Sequence, residues 1–430
     1  MNKEPVDLIV IGGGLSGLSC AITACGGNMN VLLIEGEEPD AKTRFIDELV
    51  YPHALKKILA DYKNHEDLLF PITRRAFWIV ASDSHTAWEC VTPPDESGLS
   101  GYVANRPELD LILLERFRKI GGEYKSDVNA VDLFMDEEGD ITGVKYEDEK
   151  GGHFAPVTVV ANGPRSILAN GLLKRENLQT DEKLLIVKEV LVGENGEPSR
   201  RLTGNKEHAA SILILGDPLD VGFSWARLIA YGNKLAIKVY VPMDCINDNR
   251  KVETFVESLK MHPSIEPIVR GLKSEAFFNQ TVPIGGFEEF PDTLWGEGFI
   301  VTGKAARLYH PYDCRMTDYS IVSGVIAGKA AINAKIDNRA SCPCDYPRYL
   351  SESFLLSDRN SMSNVMNAMR KNSKFASEYP QIMLGITSGI FTMDSRKKCV
   401  KKSDIEKDIR SKSAIWDAVS DFDRLIKLYG

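Results

Sequence analysis

Residues 6–17 read Val6-Asp7-Leu8-Ile9-Val10-Ile11-Gly12-Gly13-Gly14-Leu15-Ser16-Gly17. The apolar, β-branched start suits a strand buried on both faces of a parallel sheet. Three glycines then sit at G-x-G-x-x-G spacing, at positions 12, 14 and 17, and residues 18–24 are small and apolar enough for a helix lying close on that sheet. A second strand, Val31-Leu32-Leu33-Ile34, ends on Glu35, which completes a strand, turn, helix and strand within about thirty residues. In such a unit Gly12 makes the tight turn, Gly14 lets the backbone approach a pyrophosphate, and Gly17 permits close packing of helix on sheet. The helix start at Leu15 and Ser16 offers its N–H groups and positive dipole end to phosphate. Glu35 is placed to accept hydrogen bonds from a ribose 2′-OH and would disfavour a 2′-phosphate. A dinucleotide site is therefore expected, while the choice between NAD and FAD stays open on this motif alone.

Working outward, residues 106–119 carry apolar side chains at helical spacing and stop at Gly121-Gly122. Residues 131–146 read as a hairpin turning at 136–139, and residues 157–163 as another buried strand entering a tight turn at Asn162-Gly163. Strand-like runs at 184–192, 211–215 and 235–241 are assigned to a second sheet. Residues 299–303 look like one more strand of the first sheet, followed by a helix over 319–332, and beyond Pro343 the chain reads as helical and charged.

The chain has 430 residues, too many for one ordinary core, so two domains and an appendage are expected. The expected fold class is α/β: an FAD/NAD(P)-binding Rossmann-type domain of glutathione reductase-like form, with an inserted β-sheet substrate domain and a helical C-terminal region. Boundaries are placed at 1–75, 101–175 and 285–340 for the first domain, 76–100 and 176–284 for the second, and 341–430 for the helical region.

Lys and Arg number 52 against 61 Asp and Glu, a net charge of −9, which argues against nucleic acid as a partner. The short basic run Arg396-Lys397-Lys398 with Lys401 and Lys402 reads as a solvated face. Apolar residues at 43% and charged residues at 26% describe a globular chain. The eight cysteines are scattered with no disulfide-like framework, which fits a reducing, cytoplasmic setting. Residues 8–18 lack a cleavage-site pattern and read as strand and loop, not as a secretory signal. No apolar run approaches the roughly 18 to 20 residues of a spanning helix, so at most peripheral membrane contact is expected.

Several stretches together resemble one family over nearly the full length: the FixC-like electron-transfer-flavoprotein:quinone oxidoreductases, relatives of the geranylgeranyl reductases. They are residues 10–17, 33–35, Tyr51-Pro52-His53, Arg106 with Leu109 and Asp110, residues 161–168, 187–191, Val282-Pro283, 298–303, and Tyr379-Pro380 with residues 391–394. The resemblance implies an FAD-dependent oxidoreductase that takes electrons from an electron-transfer flavoprotein and passes them to a ferredoxin-like protein or to quinone. It implies that Gly12, Gly14, Leu15, Ser16, Gly17 and Glu35 hold the ADP half of FAD, and that Arg106 matches an arginine beside the cofactor. An N-cap or surface ion pair is the plainer reading of Arg106. No acid or base is obligatory, because the flavin ring carries the chemistry.

The chain also departs from that family. Its second FAD motif, Gly-Asp-Ala-Ala-Gly, here reads Gly303-Lys304-Ala305-Ala306-Arg307. Losing a charged hydrogen bond costs roughly 1.5 to 3 kcal/mol, although Lys304 offers a new partner to the diphosphate. Asp47-Glu48 stands where paired glycines are expected, and the loop after Arg307 is rebuilt around His310, Asp313 and Cys314. Two alternatives stay open: a flavin-depleted scaffold of the same fold, and a geranylgeranyl reductase-like enzyme acting on a lipid-like substrate. A metal site at His310, Asp313 and Cys314, or an iron–sulfur site at Cys342, Cys344 and Cys399, lacks the usual ligand spacing.

Overall fold

A computed structural model describes residues 5–36, 49–65, 67–81, 83–93, 101–147, 151–176, 178–216, 219, 221–246, 251–284, 293–310, 312, 315–337, 341–391, 395, 397, 400, 403 and 414–429. The chain divides into two units, one of Met1–Leu69, Ala104–Leu178 and Glu288–Asn360, the other of Phe70–Val103, Gln179–Phe287 and Ser361–Gly430. The stretch after residue 340, read from sequence as one helical region, is thus shared between the units at residues 360 and 361.

In chain order the first unit contains strand β1 (Leu8–Ile11), helix α1 (Leu15–Gly26), strand β2 (Val31–Ile34), helix α2 (Arg106–Lys119) and strand β3 (Glu123–Lys125). Strand β4 (Val157–Val160), strand β5 (Phe299–Val301) and helix α3 (Met316–Ile336) follow. The sheet order is Trp295–Gly296, β5, β4, β1, β2, β3. All neighbours pair in parallel except Trp295–Gly296, which runs antiparallel to β5. Every residue of β1, β2 and β4 is buried; the unbroken apolar runs of β1 and β2 and the β-branched run of β4, Thr158 included, suit strands covered on both faces. The four runs that the sequence assigns to one sheet do share it, although β5 stops at Val301 and Gly303 opens a turn instead of extending the strand. Ala130–Met135 and Ile141–Tyr146 form the expected hairpin, and Gly152–Phe154 joins it as a third strand.

Helix α3 lies against α1 through small residues. A side chain on Gly324 would begin 2.2 Å from the Ser16 carbonyl oxygen, and one on Gly328 would begin 2.7 Å from that of Cys20. Ser19 and Thr23, on the same stretch of α1, turn their hydroxyls back onto the carbonyls of Leu15 and Ser19, so neither hydroxyl is left unsatisfied in the contact. The two backbones therefore pack at a separation that larger side chains would forbid.

In the second unit a large sheet runs Lys273–Pro283, Lys183–Val192, Lys234–Pro242, Trp225–Tyr231, Ala209–Gly216, Leu69–Val80, with His85–Val91 paired onto the last of these. The three runs read as strands from sequence are present, and Trp225–Tyr231 and Lys273–Pro283 add to them. Alternate residues such as Val187, Ile212, Leu228 and Ile237 form a core with Leu202 from the helix Glu197–Thr203 and Phe255, Val256 and Leu259 from the helix Glu253–Met261. Each fully buried Val, Leu, Ile or Phe there contributes about 1.5–3 kcal/mol. Toward the C-terminus, Phe375 and Tyr379 of the helix Lys374–Phe391 pack on Phe422 of the helix Ala414–Tyr429.

Candidate functional site

The glycine turn after β1 is dictated by its surroundings. Gly12 has φ +105°, and a Cβ there would sit 2.6 Å from the carbonyl oxygen of Ala161 at the end of β4, so only glycine fits. Its N–H donates to the Ile34 carbonyl at 2.8 Å, which ties the turn to the end of β2. Gly17 lies against the Gly12 carbonyl oxygen, which a Cβ would approach to 1.8 Å. Gly14 is different. It is the N-cap of α1, it makes no side-chain cap bond, no acidic residue follows in the first turn, and nothing lies within 4 Å of where its Cβ would be. The first turn of α1, at Leu15 and Ser16, thus begins beside open space at the Gly14 Cβ position and carries no acid of its own.

Glu35 folds back onto the turn and accepts the Gly13 N–H on Oε2 at 2.6 Å. Its own backbone is fixed on both sides, since its N–H donates to the Lys125 carbonyl and its carbonyl accepts from Val128. An acid held at the tip of β2, bonded to the Gly13 N–H just before α1 begins, is where a ribose hydroxyl of a dinucleotide is met.

The second motif arrives at the same place. Gly303 follows β5 with φ +61°, and a Cβ on it would lie 2.6 Å from Cβ and Oγ of Ser16. Ser16 Oγ donates to Thr302 Oγ1 at 3.5 Å. Residues 303–306 form one tight helical turn, anchored by Arg175, whose guanidinium donates to the Ala305 carbonyl at 2.7 Å. Arg307 then adopts a left-handed conformation, φ +56°, and its side chain is buried. The backbone keeps the bend that glycine usually provides, while the side chain is the largest cation available. Lys304 is half-buried beside it.

The structure thus brings Gly12, Gly14, Leu15, Ser16, Gly17, Glu35, Gly303 and Lys304 into one neighbourhood. Arg106 stands apart in role. At the start of α2, which packs on α1, it makes a buried ion pair with Asp110, 3.0 and 3.2 Å to the two carboxylate oxygens. The plainer reading places an ion pair on the surface, whereas this pair is buried and lies within the helix. Arg175 and the buried Arg307 were not picked out as site residues from sequence. A lone arginine carries no motif, and Arg307 was visible only as a missing glycine.

The donor set fits an anionic diphosphate: a helix N-terminus next to a glycine that leaves room, with Lys304 and Arg307 on the adjoining turn. Asp47 and Glu48 lie outside the described residues, as do Asp313, Cys314 and Cys399. His310 is fully buried. Burial and the nearby Glu297 carboxylate push the Cys342 thiol up to about 11, the opposite of what a thiolate ligand needs. Among the described residues no group of three or more His, Cys, Asp or Glu is arranged to hold a metal, and no helix is long and apolar enough to cross a membrane.

Residues 7–45 match the FAD binding domain family. The chain is 27% identical to Protein FixC of Rhizobium meliloti (strain 1021), covering 99% of both chains. It is 25% identical to the probable electron transfer flavoprotein-quinone oxidoreductase YdiS of Escherichia coli (strain K12), covering 92% of each. Among solved structures, the geranylgeranyl bacteriochlorophyll reductase-like protein of Thermoplasma acidophilum superposes with a TM-score of 0.74 at 16% identity, covering 98% of this chain and 99% of that one. The flavin-dependent brominase Bmp2 superposes with a TM-score of 0.65 at 16% identity, covering 95% and 100%. At such identities the superpositions speak for the fold. The chain is FixC-like over nearly its whole length, with FAD as the cofactor that its first motif is matched to hold.

Proposed function

We propose that this protein is an FAD-dependent oxidoreductase of FixC type, which accepts electrons from an electron-transfer flavoprotein and delivers them to a ferredoxin-like protein or to quinone. The observation that carries the reading is the convergence of the two motifs on the first turn of α1, where a side chain on Gly303 would begin 2.6 Å from Ser16. In this reading Gly12, Gly14, Leu15, Ser16 and Gly17 receive the diphosphate, Glu35 the adenosine ribose, and Gly303 and Lys304 close the far side of the diphosphate. Arg106 contributes through its pair with Asp110, which bridges the first turn of α2 within that helix.

Bound FAD supplies the redox chemistry. The chain's part is to bind, orient and set the charge around it. Lys304 and Arg307 add positive charge where the family pattern has an acid and a glycine, and a positive field favours the more negative, reduced state of a bound redox group. The proposed site therefore holds electrons more firmly than an acidic motif would.

Lys304, Asp47 and Glu48, which stand at altered motif positions, favour a second reading, a scaffold of the same fold that has lost its flavin. Mixing the purified, FAD-loaded protein with chemically reduced electron-transfer flavoprotein in a stopped-flow instrument separates the two. Bleaching of the flavin bands of this protein, faster than with the electron-transfer flavoprotein omitted, is expected. Purified protein that carries no flavin and takes none up would establish the scaffold instead, and a loaded protein that stays oxidised would rule out this donor.

A further inference from the structure

Helices α1 and α3 run in the same direction, because Gly324 faces the Ser16 carbonyl and Gly328, four residues on, faces that of Cys20. Met316, where α3 begins, precedes Gly324 by two turns of helix, so α3 extends about 12 Å past the first turn of α1 at 1.5 Å per residue. That is the side of the C-terminal strand ends, where an open α/β sheet binds its ligand. In the proposed site Glu35 marks the adenosine side and Gly303 the opposite one. The start of α3, which follows Gly303 in the chain, stands on the side away from the adenosine.

A charge cluster around a buried acid occupies that helix start. Asp318 has a fully buried side chain and accepts from Arg315 Nε at 2.9 Å and from the Tyr319 N–H at 3.0 Å. Arg315 also pairs with Asp358 of the helix Phe354–Lys371, and its guanidinium lies 4.4 Å from the centre of the Phe354 ring and 5.6 Å from that of Tyr319. His53, on the short helix Pro52–Leu55, brings Nε2 to 3.5 Å from Asp318 Oδ2, with its ring edge-on to Phe354 and 6.0 Å from that of Tyr51. Thr317 donates to the Leu49 carbonyl and so ties the segment before His53 to α3. The imidazole therefore touches a buried carboxylate while 49% of its side chain meets water. Arg315, Asp318 and Asp358 together carry one negative charge, which one proton on His53 neutralises. Histidine is the side chain whose charge changes near neutral pH, whereas the arginine stays charged throughout.

We propose that His53 is a redox-linked proton site, which takes a proton from water when bound FAD gains electrons and returns it when they leave, with Asp318 as the positioning residue that holds its Nε2. Reduction by two electrons with uptake of one proton leaves the cofactor one charge more negative, and the further proton on His53 offsets that charge. The coupling is reciprocal, so a proton on His53 favours reduction by the same free energy with which reduction favours the proton. This inference rests on the FAD reading above.

The test is the flavin midpoint potential of the FAD-loaded protein, measured spectroelectrochemically from about pH 5.5 to 8.5, across the histidine range, for wild type, His53→Gln and His53→Lys. His53 is half exposed, so both variants should fold. Neither new side chain titrates in this range, so the two variant curves should run parallel, the lysine curve higher because positive charge favours the reduced state. The wild-type curve should lie near the lysine variant at the acid end and cross to the glutamine variant at the basic end. Asp318→Asn, where it retains FAD, should narrow that crossing. A merely structural histidine would leave the wild-type curve parallel to both variants, which would overturn the proposal while the FAD reading stands. A wild type that takes up no FAD would remove both.

Discussion

At Gly14 and Lys304, single residues decide what the site can hold. Gly14 caps α1 with an extended backbone that any residue adopts, and its Cβ position faces open space. Gly14→Val should therefore leave thermal stability within about 1 kcal/mol, as for substitutions that meet no packing, yet abolish nucleotide binding by filling the place where backbone meets diphosphate. Retention of FAD by this variant through gel filtration would show that the glycine serves only the turn. Lys304 replaces an acceptor with a cation, and in the proposed site it pairs with the diphosphate. Lys304→Ala should weaken FAD roughly ten- to a hundredfold at low salt, and the gap between wild type and variant should narrow as salt is added. Unchanged affinity, or a gap indifferent to salt, would remove Lys304 from the site.

Between helices, the same neighbourhood depends on how closely α3 approaches α1. Gly324 lies so near the Ser16 carbonyl that a side chain there must push the helices apart. Gly324→Val should destabilise the fold by about 1–3 kcal/mol, the usual cost of overpacking, read as a lowered denaturation midpoint with unchanged slope. It should also weaken FAD, because Ser16 moves with α1 while Gly303 does not. Loss of stability with full FAD affinity would uncouple the helix contact from the site.

The contrast between what was and was not legible follows from range. Strands β1, β2 and β4 were readable because each is a short run rich in β-branched and apolar residues with a glycine or an acid within three residues of its end, a signal contained within a few residues. Helix α3 was readable as apolar over 319–332, but its Gly324 and Gly328 acquire meaning only once Ser16 and Cys20 are known to face them. Arg307 was noted as a lost glycine, and only the backbone shows that the left-handed bend survived the substitution.

For the whole molecule, the central claim is that an intact first βαβ unit and an altered second motif still form one FAD site. A net charge of −9 makes nucleic acid a poor fit as a partner. Ligand that binds only the folded state raises stability by about 2.7 kcal/mol at a hundred times its dissociation constant, so FAD should also raise the unfolding temperature. The most direct measurement is isothermal titration of the apo-protein with FAD, beside a triple variant carrying Lys304→Asp, Asp47→Gly and Glu48→Gly. The account predicts saturable binding of one FAD per wild-type chain. No detectable binding to the wild type, with binding recovered in the triple variant, would contradict it and leave the fold as a scaffold whose flavin site has decayed.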